Sequence, residues 1–159
     1  MIREPQTRIS ERALKAWKIH GIITAVVLIL LGGSTIPLSI IFDWPIWINL
    51  ISMAPALLLS YFSIWLWPRL KWNRWRYEVR ETEIELQQGV IITKRTLVPM
   101  IRVQHVDTNQ GPILKKYNLA SVQISTAATV HEIPALDLAE AEELRYYIGK
   151  LTRTADEDV

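Results

Sequence analysis

Few residues in this chain are equipped for acid–base chemistry. There are 3 histidines and no cysteine, and outside the apolar part of the chain the only histidine–carboxylate neighbours are His105 with Asp107 and His131 with Glu132. Residues two apart on a strand share a face, so His105 and Asp107 could meet, whereas adjacent His131 and Glu132 point to opposite faces. No nucleophile elbow, phosphate loop, metal-ligand spacing or glycine-rich cofactor turn accompanies either pair. The chain therefore reads as non-enzymatic, with no catalytic residue, no cofactor and no metal ligand. The lack of cysteine excludes disulfide and thiol chemistry.

A second chemistry is suggested by the stretch YFSIWLWPRLKWNRWRYEVR (61–80), which sets Trp65, Trp67, Trp72 and Trp75 among Arg69, Lys71, Arg74, Arg76 and Arg80. Aromatics interleaved with cations suit stacking on bases and contact with phosphates, and they equally suit the edge of a membrane. What precedes the stretch decides. Half of the 159 residues are hydrophobic, and from Ile19 to Pro68 there is no Lys or Arg, with Asp43 the only acid. A bilayer core of ~30 Å needs roughly 20 helical residues, so this block is long enough for two spans. Asp43-Trp44-Pro45 divides it, since aspartate suits the position before a helix and proline its first turn. The spans are read as 19–42 and 45–67, joined as an antiparallel hairpin.

A cleaved secretory signal would end near Gly32-Gly33-Ser34, but the apolar run continues through Phe42 and cleavage would leave it exposed. A hairpin buried in a soluble protein fails because both segments are apolar all round and the chain is too short to cover them.

Charge orients the hairpin. Arg3, Arg8, Arg12, Lys15 and Lys18 precede it, 69–80 follows it, and the turn between has no cation, so the positive-inside rule places both termini in the cytoplasm of an inner or plasma membrane protein. The membrane-interface residues are then Trp17, Lys18, Trp65, Trp67, Arg69, Lys71, Trp72, Arg74 and Arg76, with cations near anionic headgroups contributing ~1 kcal/mol each. Nucleic acid is not a partner on this reading, because bases would have to reach side chains already held against lipid.

Within the spans, Ser52, Ala56 and Ser60 recur every fourth residue with Asn49 near the same face, a spacing that lets helix backbones approach. Gly21 and Ala25 offer a similar face on the first span. These residues either close the hairpin on itself or bind another protein. Pro37 and Pro55 should bend their helices, with Ser34 and Ser52 placed to satisfy freed carbonyls. Two spans and one histidine near a boundary, His20, do not make a channel or transporter.

The flanking elements follow from local pattern. Residues 1–18 read as a cytoplasmic segment with a short interfacial helix capped by Ser10, and 68–80 as a basic junction running into the first strand. Glu83-Ile84-Glu85-Leu86-Gln87 alternates, pointing Ile84 and Leu86 inward, and Gly89 marks a turn before a strand at 90–93. Further strands are expected at 101–106, 119–126 and 129–133. Asp137-Leu138-Ala139-Glu140 reads as a capping box opening a terminal helix whose apolar face carries Leu138, Ala141, Leu144, Ile148 and Leu151. Residues 75–153 thus form an antiparallel sheet or barrel of six or seven strands closed by a C-terminal α-helix, followed by a mobile acidic tail at 154–159.

Two short spans, the basic tryptophan-rich junction, the strand pair at 75–85, Gly89-Val90-Ile91, and the pattern Val98-Pro99 with Arg102, Val103, Gln104 and Val106 together resemble the bacterial pleckstrin-homology-like (bPH2) membrane proteins, in particular the YdbS-like group. The resemblance covers roughly residues 8–152. It implies a membrane α-helical hairpin plus a cytoplasmic PH-like domain, a seven-stranded sheet bent into an open barrel and plugged at one end by the C-terminal helix.

Fold does not dictate function. Pleckstrin domains that bind phosphoinositides use a basic cluster in the first hairpin loop, where this chain has Glu81-Thr82 between Glu78 and Glu83. The favoured expectation is a membrane-anchored scaffold, or a subunit of a cell-envelope complex, whose strand edges accept other chains. The resemblance implies as partner a larger membrane protein with several PH-like domains, with self-association the alternative. A sensor of anionic lipid headgroups is the competing reading, through Lys94-Arg95 and Lys115-Lys116 in turns.

Overall fold

A computed structural model describes the backbone of residues 5–157 and side chains through Thr154. The chain divides into a helical unit, residues 14–70, and a sheet unit formed by the N-terminal residues through Ala13 together with 71–157.

The helical unit is built from α1 (Ala13–Gly33), α2 (Thr35–Ile41) and α3 (Trp47–Tyr61), a π-helical turn at Phe62–Leu66, and the first half of α4 (Trp67–Arg74), whose residues from Lys71 onward belong, with Ala13, to the sheet unit. Together these make two membrane-length helical runs, Ala13–Ile41 of 29 residues and Trp47–Arg74 of 28 residues. At 1.5 Å per residue each would reach about 40 Å, longer than a ~30 Å hydrocarbon core. Each helical run therefore extends beyond the expected span, the first to Ala13 and the second to Arg74. Their outward side chains are apolar, Leu30, Leu31, Ile40, Leu50 and Leu58 among them, all exposed. Such a surface needs lipid around it.

The break in the first run falls at Ser34, within the turn before Pro37, where the proline has no N–H to offer the Gly33 carbonyl. Proline occupies the third position of α2, where its missing N–H belongs to the unbonded first turn, and the Oγ of Ser34 caps the carbonyl of Leu31 at 2.7 Å. Helix α3 runs on through Pro55, and the departure from α geometry comes later, in the π-turn. The hairpin turn lies where the sequence placed it, with changed roles. Asp43 takes a left-handed φ of 50° instead of capping, and the next helix opens at Trp47, two residues beyond Pro45.

Among the described residues, the sheet unit contains seven strands in two antiparallel sheets, β1 (Thr7–Arg8), β2 (Arg76–Val79), β3 (Glu83–Gln88) and β4 (Lys94–Pro99) in one, β5 (Val103–Asn109), β6 (Leu119–Thr126) and β7 (Val130–Asp137) in the other, each in chain order. Helix α5 (Pro112–Lys116) joins β5 to β6, and α6 (Leu138–Glu157) packs on β5, β6 and β7. Ile84, Met100, Leu119, Ile124, Ile133, Leu136 and Ile148 are fully buried between these layers. The terminal helix contributes Ala141 and Ile148 to that core, as its apolar face predicted.

Several sequence expectations are corrected. The first strand comes from the N-terminal segment, Thr7 and Arg8 pairing with Tyr77 and Arg76, so 5–13 is part of the sheet unit rather than of a separate interfacial piece. In the junction expected at 68–80, residues 68–74 are helical and the strand begins at Arg76. The strand expected at 90–93 is a loop: Gly89, at φ 112°, turns the chain so that pairing stops at Gln88 with Lys94. Lys94 and Arg95 therefore lie on β4, not in a turn, and Lys115 and Lys116 lie on α5. Residues 100–102 form a 3-10 turn before β5, and β7 extends to Asp137. The acidic tail is helical as far as Glu157; Val159 and Asp158, like Arg3 at the other end, lie outside the described residues.

One end of the four-stranded sheet has a particular identity. Arg8, Arg76, Gln87 and Arg95 form a row across its strands. From that end β1 leads towards α1, and α4 enters β2 through Trp75 alone. The β3–β4 loop projects from the same end.

Candidate membrane and partner surfaces

The two helical runs meet along a seam of small residues. A methyl group on Gly21 would collide with the carbonyl of Ser63, whose Oγ in turn donates to the Gly21 carbonyl at 3.3 Å. One on Gly32 would reach Ala56 Cβ at 3.1 Å. Thr35 and Ser52 hydroxyls are 2.8 Å apart, and Asn49 Nδ2 donates to Ser39 Oγ at 2.9 Å. Pairings that run Gly21 to Ser63, Gly32 to Ala56 and Ser39 to Asn49 define an antiparallel hairpin. Ala56 and Ser60 are buried, and Ser60 Oγ bonds its own helix at Ala56 O. The stripe Asn49, Ser52, Ala56 and Ser60 thus includes residues that close the hairpin on itself.

The predicted interface residues separate into two groups. Trp65 carries Lys18 Nζ at 4.7 Å and the Arg69 guanidinium at 5.7 Å from its ring, so the last cation before the apolar block and the first after it meet over one indole. Trp67 is exposed, its ring 5.9 Å from that of Phe62, and Trp17 is half-buried. Trp72 does something else: its Nε1–H is 3.2 Å from the carbonyls of both Ile9 and Ser10, with Arg8 over the ring at 5.4 Å. It ties the N-terminal segment to the end of α4 within the sheet unit. Lys71 and Arg76 are half-buried and Arg74 is exposed. Trp75 is buried in the sheet unit.

The first hairpin loop of the sheet unit is acidic, and its one arginine is already engaged. Arg80 reaches Glu78 at 3.2 Å, Glu83 at 3.0 Å and Glu85 at 3.4 Å. The hydrogen bond to Glu78 leads in holding its pKa above the ordinary arginine value. Arg95 binds the other oxygen of Glu85 at 3.5 Å. Simple alternation would expose Glu85, yet it is only 8% exposed, on the outer face of β3 beneath the two arginines. Lys94 is exposed at the start of β4, and Lys115 and Lys116 are exposed on α5.

The acid–base candidates do not assemble. His105 and Asp107 are exposed on β5, and no hydrogen bond joins them among the described residues. Asp137 and Glu140, expected to cap α6 reciprocally, reach other partners: Asp137 accepts from Ser10 Oγ at 3.1 Å, and Glu140 from the Tyr77 phenol at 2.7 Å. Long-range hydrogen bonds between segments leave no signal in local sequence.

Sequence reading also missed a groove of about 540 Å³ between β5 and α6. Among the described residues, β5 pairs with one strand, β6, and lies at the edge of its sheet. Val103, Gln104 and Val106 form one wall, and Arg145, Lys150 and Arg153 stand on the other. Arg145 is paired with Glu142 at 2.8 Å, while the groove lining contains no carboxylate. The helical spacing of 145, 149 and 153 was visible in the sequence; that β5 would lie beside it was not.

The sequence profile of the family described as Bacterial PH domain matches residues 12–152. The chain is similar to the UPF0699 transmembrane protein YdbS of Bacillus subtilis (strain 168), 48% identical over 159 residues and covering 100% of both. It is also similar to the UPF0699 transmembrane protein YdbT of the same organism, 28% identical over 101 residues, which is 60% of this chain but 20% of that protein. No solved structure matches.

Proposed function

Since the chain belongs to the bacterial PH domain family and has two membrane-length helices, we propose that it is a non-enzymatic scaffold, a subunit holding a PH-like domain on the cytoplasmic side of the cell membrane for another membrane protein to bind. The observation that carries this reading is the free edge of β5 beside a cationic wall. An extended segment of a partner can add to that edge by backbone hydrogen bonds, with acidic side chains facing Lys150 and Arg153. The match to a stretch of a much longer relative supports a partner that carries the same kind of domain within a larger chain. Lys18 and Arg69 meeting at one ring support both termini lying on one side, and the flanking cations support the reading that this side is the cytoplasm.

The test is site-specific photo-crosslinking from Gln104 on β5 in native membranes, compared with the same probe at Glu81. A discrete adduct from Gln104 that disappears in Lys150→Glu/Arg153→Glu supports the reading. A detergent-extracted particle that is strictly monomeric, with no adduct from Gln104, overturns it.

A second reading, sensing of anionic headgroups, is favoured by Arg8, Arg76 and Lys94 gathering at the sheet end that connects to both helical runs. Exchange of anionic for zwitterionic lipid around the reconstituted chain would then alter protease protection of the sheet unit; identical protection in both lipids excludes it.

A further inference from the structure

The β3–β4 loop exposes the two most solvent-accessible large apolar side chains described in the sheet unit, Ile91 at 89% and Ile92 at 81%. Adjacent isoleucines on a loop tip contribute nothing to the core, and each leaves apolar area in water at about 25 cal/mol per Å². Their display is fixed by the backbone. Gly89 sits at φ 112°, a conformation side chains rarely adopt, and a Cβ there would collide with the carbonyl of Ile92. The turn therefore depends on glycine, and it carries the isoleucines outward.

The register says where that outward direction leads. Arg8, Arg76, Gln87 and Arg95 lie in one row, followed by Gln88 opposite Lys94 and then by the loop. This is the sheet end at which the chain arrives from α4 through Trp75 and departs after β1 for α1. With strands ~4.8 Å apart, the loop stands roughly 10 Å from the point of entry. The side chains bordering it fit an anionic boundary: Lys94 is exposed at its foot, and Arg95 is beside it on β4.

We propose that the β3–β4 loop inserts Ile91 and Ile92 into the headgroup–acyl boundary of the bilayer, with Lys94 at the phosphate level, a membrane contact additional to the two spans. The occupant is lipid rather than a protein because the loop shares its end of the sheet with both covalent connections to the membrane-length helices. Two inserted side chains and one cation would be too weak to anchor a free domain, but tethering by the spans makes the contact effectively intramolecular. The inference rests on the spans being embedded in lipid and is independent of the scaffold reading.

The chain has no cysteine, so single labels are clean. Full-length Ile91→Cys, Ile92→Cys, Glu81→Cys at the opposite end of the sheet, and Leu30→Cys in α1 are each labelled with an environment-sensitive dye. They are reconstituted in phosphatidylcholine–phosphatidylglycerol vesicles with and without nitroxide-bearing lipid. The expected result is blue-shifted emission at 91 and 92, quenched at least twofold by the nitroxide lipid and shielded from aqueous iodide, while the label at 81 shows the reverse. Labels at 91 and 92 that iodide reaches and nitroxide lipid does not overturn the proposal. Shielding from both quenchers also overturns it, by assigning the loop to a protein contact. Absence of lipid quenching at Leu30 removes the premise and the proposal with it, and distinguishes that failure from the others.

Discussion

The Tyr77 phenol donates to Glu140 Oε1 at 2.7 Å across 63 residues of sequence, joining the four-stranded sheet to the first turn of α6. Burial, reinforced by the hydrogen bond and by the neighbouring carboxylate, pushes the phenol's pKa well above its usual value of ~10. The folded protein therefore holds this proton more tightly than the unfolded chain. The resulting stabilisation is complete below about pH 10 and is lost as the pH rises through and beyond that value. Tyr77→Phe should cost about 1.5 kcal/mol at neutral pH and flatten the loss of stability on the alkaline side. Denaturation of the detergent-solubilised chain between pH 7 and 11 measures both; a variant with the parent's alkaline slope would refute the assignment.

Ile148 is fully buried where α6 meets the sheets. Ile148→Ala should destabilise the sheet unit by about 3 kcal/mol, through lost transfer energy and the cavity left behind. Protection of β6 amides in hydrogen exchange should fall accordingly.

Thr35 and Ser52 hydroxyls, 2.8 Å apart, predict that a Thr35→Cys/Ser52→Cys pair forms an intramolecular disulfide on mild oxidation in membranes. A gel-mobility shift reversed by reductant reports it. Adding Gly21→Leu, which drives a side chain into the Ser63 backbone, should slow the crosslink severalfold. An unchanged rate would mean that the seam is not held at Gly21.

What the sequence disclosed depended on the range of the interactions involved. The two spans were legible because a run of fifty residues without a lysine or arginine has one physical explanation, and the face of α6 because Ala141 and Ile148 repeat at helical spacing. The alternation of 83–87 predicted the burial of Ile84 and Leu86 correctly but gave no sign that Glu85 would also be covered, by Arg80 and Arg95 from segments on either side. β-branched residues made 90–93 look like a strand, but one left-handed glycine ended the pairing. The pairing of Thr7 with Tyr77 spans seventy residues and both membrane helices, and nothing local to either strand announces it. Trp72 shows the same limit, because nothing in its basic stretch announces the carbonyls of Ile9 and Ser10 at its N–H.

The account stands on a hairpin that crosses lipid twice and returns the sheet unit to the side of the N-terminus. Intact cells expressing either Trp44→Cys, in the hairpin turn, or Glu81→Cys, in the first loop of the sheet unit, can be treated with a membrane-impermeant maleimide before and after permeabilisation. The prediction is labelling of position 44 in intact cells and of position 81 only once the membrane is opened. Labelling of position 81 in intact cells, with position 44 protected, would contradict it.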